Sequence, residues 1–138
     1  MVEEINMLTE KDYCDYDTCL TLGELGFPLK RMKVKNGIDG KITEDTIVPV
    51  LLYEAQKWLR KEKNIHIEVY ACAGGYIYEL CKAYKPDSFS GGTTIYTPND
   101  VDNPKLNDAG RYDDFEICLL EGINEAIKIL KENKITLG

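Results

Sequence analysis

The chain is short of histidine, of positive charge and of long apolar runs, and each shortage closes off a class of function. His66 is the only histidine, so any histidine-dependent chemistry must run through it. The net charge is −7, which works against direct nucleic-acid binding, because affinity for a phosphate backbone rests on clustered Lys and Arg releasing counterions. Two basic clusters do exist, Lys30-Arg31-Met32-Lys33 and Lys57 through Lys63, and acidic residues flank both. No stretch approaches the ~20 apolar residues that a membrane span needs, so no membrane partner is expected. The segment Met1-Val2-Glu3-Glu4-Ile5 is acidic and lacks the basic-then-apolar pattern of a signal peptide, which makes a cytoplasmic protein the expectation. The five cysteines, Cys14, Cys19, Cys72, Cys81 and Cys118, are odd in number and irregularly spaced. In a reducing compartment they read as free thiols, mostly small buried hydrophobes.

Neither metal nor cofactor is expected. Cys14 and Cys19 are five residues apart with no second pair, a spacing too sparse for a zinc site. Asp100, Asp102, Asn103 and Asp108 lack the alternate-residue order and the closing glutamate of a calcium loop. Gly74-Gly75 and Gly91-Gly92 are not set between a strand and a helix, as a phosphate cradle would be, and read as turns.

What is present is ordinary globular material. The 138 residues are 43% hydrophobic and 30% charged, enough for one domain over 1–138 with a core of its own. Residues 1–9 read as a loose arm. A helix is predicted from Asp15, whose carboxylate can cap it, with Tyr16, Cys19, Leu20, Leu22 and Leu25 turned inward. Gly26 and Pro28 end it. Lys30 to Ile47, interrupted by Asn36-Gly37 and Asp39-Gly40, has the turn chemistry of a first hairpin.

Pro49 is suited to open a second helix. Its apolar stripe is Leu51, Leu52, Ala55, Trp58 and Leu59, with Trp58 as the anchor between helix and sheet and Asn64 as a left-handed stop. A second hairpin follows, turning at Gly74-Gly75. A two- or four-residue loop sets Tyr76, Tyr78, Leu80 and Tyr84 beside Ile65, Ile67, Val69 and Ala71, and a three-residue loop sets Ile77, Glu79, Cys81 and Ala83 there instead. The first register buries the more apolar face and leaves Lys82 to snorkel at the margin, where the second would bring Glu79 inward, so the first is preferred.

Residues 85–111 form a long irregular loop with a short strand near 93–97. The last helix is expected to start at a cap on Asp113, with Glu116 completing a capping box and Tyr112 stapled on Ile117. Leu119, Leu120, Ile123, Ala126, Ile127 and Leu130 line its inner face. The fold class is therefore α+β. Three helices pack on a mainly antiparallel sheet of two hairpins plus a short strand, in the order α-ββ-α-ββ-(β)-α.

The chain resembles a group of small α+β proteins encoded by intestinal bacteria and their phages and prophages, to which no activity is assigned. The likeness lies in Tyr16, Cys19, Leu22, Gly26 and Phe27, in Pro49, Leu52, Ala55 and Trp58-Leu59-Arg60, in Asn64-Ile65-His66-Ile67, and in the acid-capped last helix. It takes in most of the elements and leaves out residues 86–111, where the group has a shorter connection. The resemblance implies a mobile-element origin and the same fold. It implies no chemistry.

Three functional readings follow from the residues. A non-enzymatic protein-interaction or accessory module would use the tyrosine-rich half, with Tyr70, Tyr96 and Tyr112 as the binding surface for a protein partner or a second copy. An acidic regulator or nucleic-acid mimic would occupy a basic groove. A small thiol-dependent enzyme would pair Cys81 or Cys72 with His66, all on the outer face of the second hairpin, with Glu68 opposite Cys81 and His66 diagonal to it. Against this third reading stands the simpler one of a solvent-facing or helix-covered sheet face.

Overall fold

The structure is a computed structural model that describes residues 9–35, 40, 42–83, 93–96 and 104–137. Residues 1–8 of the arm expected over 1–9 and much of the loop expected over 85–111 lie outside these residues. The elements are α1 (Tyr16–Glu24), β1 (Arg31–Lys35), β2 (Ile42–Ile47), α2 (Leu52–Lys63), β3 (His66–Cys72), β4 (Gly75–Lys82), β5 (Thr93–Tyr96) and α3 (Phe115–Leu137), after a 3-10 turn at Glu10–Asp12. The order and the α+β class are those the sequence predicts. The two hairpins nevertheless do not share a sheet. β1–β2 stands alone as a two-stranded sheet, while β3–β4–β5 form a three-stranded antiparallel one.

The core lies between that three-stranded sheet and the helices. α3 crosses β3 and β4 and also touches α1 and α2. It gets this close because Gly122 has no side chain: a Cβ there would lie 2.6 Å from Ile67 Cγ2. Leu22 of α1, Leu59 of α2, Ile65, Leu80 of β4 and Ile123 of α3 are fully buried around this contact. At roughly 2 kcal/mol for each large aliphatic side chain removed from water, this cluster is the main apolar contribution to stability.

The second hairpin buries the face chosen on sequence grounds, with Ile67 opposite Leu80 and Val69 opposite Tyr78. Its turn sits one residue earlier than expected, at Ala73-Gly74, so Cys72 faces Gly75. The free edge of β4 is closed in two places. β5 pairs with Leu80–Lys82, and Tyr112 forms a two-way backbone bridge with Tyr76. That bridge needs glycine at position 75, where any Cβ would run into the Tyr112 carbonyl oxygen.

Several helix ends differ from expectation for local reasons. The Asp15 carboxylate accepts a hydrogen bond from the Thr18 hydroxyl instead of capping backbone amides, and Thr18 in turn meets the Asn124 amide of α3 at 2.9 Å. Tyr16 points outward, 59% exposed. Pro49 stands three residues before α2, whose first turn is closed by Glu54 accepting the Leu51 amide at 3.1 Å. Asn64 does adopt the left-handed conformation, φ 53°. Its side-chain amide then pairs with both backbone groups of Ala83, tying the end of α2 to the end of β4.

The cap of α3 is Asp114, not Asp113: its carboxylate accepts the Glu116 and Ile117 amides at 2.9 and 3.1 Å. Tyr112 is sunk in the core at 1% exposure, while Ile117 is exposed, so no staple joins them. Trp58 is only partly buried and packs against the margin of the core rather than anchoring its centre. It meets Phe27 edge-on, ring centroids 5.6 Å apart, with Lys63 Nζ 5.4 Å above its ring.

Candidate functional site: an aromatic trough beside the first hairpin

The helical phase of α2 creates an open hollow on the molecule's described surface. Leu52, Ala55 and Leu59 face the core, which turns Tyr53, Lys57 and Lys61 outward and leaves Trp58 at the margin, since successive residues step by 100°. The chain reverses after α1 and brings Phe27 against Trp58. Phe27, Tyr53, Glu54, Lys57, Trp58 and Lys61 line a trough of about 350 Å³, with Tyr53 60% exposed at its edge. A second hollow of about 200 Å³ shares Phe27 and Glu54 with the first. It runs on past Val48 and Pro49 to Lys30, at the foot of the first hairpin. The aromatic residues supply apolar contact area and the lysines and glutamates a charged rim, a composition suited to a protein segment.

The thiol and histidine candidates are brought together only in part. His66 is the direct cross-strand partner of Cys81, and Glu68 faces Glu79 rather than Cys81, because the turn is one residue earlier. The Cys81 thiol meets the Thr94 hydroxyl at 3.9 Å, and among the described residues His66 has no side-chain hydrogen bond to it. Cys72 lies at the other end of β3, about 20 Å away at the usual strand rise. Its neighbour is Arg111, whose Nε–H donates to the Cys72 sulfur at 2.9 Å. Cys14 and Cys118 are buried, and burial pushes both thiols up to about 12. Cys19 is raised for the same reason. No three His, Cys, Asp or Glu side chains converge to hold a metal ion among the described residues.

The tyrosine candidates separate as well. Tyr70 is 44% exposed on the outer face of the second hairpin, beside Glu79. Partial burial, with the Glu79 carboxylate adding to it, raises its hydroxyl above the ordinary tyrosine range. Tyr112 is a core residue and offers no surface to a partner. Tyr96 is placed by its backbone opposite Leu80 at the edge of the three-stranded sheet.

Two features escaped the sequence reading. One is the trough, although a signal was there: Trp58 is six residues from Leu52 and falls off the stripe that Ala55 and Leu59 share with it. The other is Asn107, which holds residues 107–113 together. Its side-chain amide donates to the Gly74 carbonyl and to Asp113 at 2.8 Å each, and its oxygen accepts the Ala109 and Arg111 amides at 2.9 and 3.1 Å. No spacing in the sequence announces that role.

Comparison of the chain with protein-family models, with curated proteins and with solved structures finds no match in any of the three. No helix among the described residues is long and apolar enough to cross a membrane.

Proposed function

We propose that this protein is a non-enzymatic interaction module that receives a segment of a partner protein in the trough beside α2. The observation that carries this reading is the half-buried aromatic floor, Phe27 and Trp58 packed edge-on, with the exposed Tyr53 at the rim and Lys57 and Lys61 alongside. Large aromatics held rigid at the surface bind with little entropic cost, which is why they dominate interface energetics. The walls carry Glu54 and Glu62 as well as Lys57 and Lys61, unlike the single-sign face an acidic nucleic-acid mimic needs. The five free thiols suit a cytoplasmic location, and the resemblance to phage-borne proteins suits an accessory gene of a mobile element.

The test is selection from a random peptide display library against the whole protein. Because Trp58 is the sole tryptophan, its emission reports occupancy of the trough directly. Peptides that shift Trp58 emission and lose binding to W58A support the reading; a library that yields no ligand, or ligands indifferent to W58A, refutes it.

A second reading, a thiol-reactive protein, has the Arg111–Cys72 contact in its favour. Such chemistry would be modification at Cys72 rather than a Cys72–His66 dyad, since His66 stands at the far end of β3, and the thiol opposite His66, Cys81, meets the Thr94 hydroxyl instead. Alkylation of the folded protein decides it: Cys72 reacting no faster than Cys81 excludes a special role.

A further inference from the structure

The first hairpin offers a partner something the trough alone does not. We propose that the outer edge of β1 takes up an extended, acidic segment of a partner protein as a third strand, with an apolar side chain next to that segment entering the hollow between Phe27, Val48 and Pro49. The proposal rests on the interaction-module reading and gives its partner a chemistry.

Three observations converge on it. First, β1 pairs with β2 and, among the described residues, with nothing on its other side. The Val48 amide donates to the Lys30 carbonyl at 2.7 Å. Pairs in an antiparallel ladder alternate between bonded and non-bonded, so with Lys30 and Val48 bonded, the amides and carbonyls of Arg31 and Lys33 point to the outer edge. That is the row of groups an added strand engages. Secondly, the run Lys30-Arg31-Met32-Lys33-Val34-Lys35 has four cations and no acid, in a chain of net charge −7. The acids of the hairpin sit in β2, where Asp45 is already the register partner of Lys33. Symmetric pairing with β1 of a second copy would set Arg31, Lys33 and Lys35 against the same cations, so the complementary occupant is an acidic strand from another protein. Thirdly, Lys30 belongs both to the ladder and to the lining of the hollow that continues into the trough. A chain lying along β1 therefore arrives at an apolar pocket within a residue or two. Paired backbone groups fit a peptide, whereas β1 has no aromatic side chain on which a nucleic-acid base would stack.

The probe is a fluorescein-labelled octapeptide of alternating valine and glutamate, with its valine–lysine counterpart and a single-stranded oligonucleotide as controls, followed by anisotropy on the full chain. The glutamate peptide is expected to bind, and the lysine peptide not. R31E/K33E is expected to weaken it about tenfold, the sum of two exposed charge pairs turned repulsive. K33P, which removes one outward amide from an edge strand that tolerates proline, is expected to weaken it similarly at unchanged charge pattern elsewhere. Hydrogen exchange at the Arg31 and Lys33 amides should slow in the complex. Equal binding by R31E/K33E, no binding at all, or tighter binding of the oligonucleotide overturns the proposal. Peptide binding that is lost in W58A but untouched in R31E/K33E and K33P overturns the strand addition while leaving the trough reading intact.

Discussion

The two hairpins are built from similar material, a pair of short strands and a glycine-containing turn, and the protein uses them in opposite ways. β3–β4 has α3 laid across its inner face, α2 alongside β3, and Tyr112 and β5 closing its outer edge. β1–β2 keeps its own company: Ile47 is buried, but Arg31, Met32 and Lys33 are exposed, Met32 by 44%. The difference follows from what each offers to the core. Ile65, Ile67, Tyr78 and Leu80 supply one continuous apolar face, which can repay the entropy of ordering both strands. β1 alternates cations with two apolar residues and has less to bury, so it is left at the surface with its outer backbone edge unpaired among the described residues. One hairpin holds the fold together, and the other is the one we propose for a partner.

The largest test of this contrast is Leu80→Ala. Leu80 is fully buried between helix and sheet, and its truncation is expected to cost about 2–5 kcal/mol in urea unfolding. Met32→Ala is its counterpart in the exposed hairpin and should stay within about 0.5 kcal/mol. Equal losses at the two sites would erase the distinction.

Alkaline unfolding is next. Cys14 and Cys118 are buried as neutral thiols with values pushed up to about 12. The unfolded chain loses those protons first, so stability is complete below the ordinary thiol range and falls as pH rises from about 9 to about 12. The slope is at most ~1.4 kcal/mol per pH unit for each thiol. C14A/C118A should flatten the curve, and a slope unchanged in that variant would show that the thiols do not cause it. In the same folded protein, iodoacetamide should reach Cys72 and Cys81 long before Cys14, Cys19 and Cys118.

Asn107→Ala removes four hydrogen bonds that fasten residues 107–113 to the turn of the second hairpin. A loss of about 1–3 kcal/mol is expected, with faster exchange at the Tyr76 and Tyr112 amides. Smallest is Asp114→Ala, a lost helix cap costing about 1 kcal/mol. Asp113→Ala should cost less, because Asp113 binds Asn107 rather than the amides of α3. If the two aspartates ranked the other way, the observed start of α3 would be wrong.

Much of the fold was legible because its signals are local. Gly26 and Asn64 ended their helices as their backbone freedom requires, and the 3.6-residue stripe of α3 named its buried face from Leu119 to Ile127. Alternation in β3 and β4 picked the buried face correctly, although a turn shifted by one residue changed who faces whom. That shift mattered for chemistry, since it set His66 against Cys81 and paired Glu68 with Glu79. The proposed binding surface was the least legible part. Tyr112 and Trp58 have similar claims as large amphipathic aromatics, yet one is buried and the other lines the trough. Which tyrosine or tryptophan goes inside depends on what other segments leave uncovered, and no property of a single residue encodes that.

By itself, then, the sequence determined the class, the order of the elements, their buried stripes and the scarcity of histidine and positive charge. These depend on periodicity, turn chemistry and composition, all of which act over a few residues. Only the tertiary structure decided that the two hairpins part into separate sheets, that Arg111 meets Cys72, and that Phe27 meets Trp58 to floor a trough running to the foot of β1. Each of these joins residues tens of positions apart, and the geometry that joins them is set by how the whole core packs rather than by any local pattern.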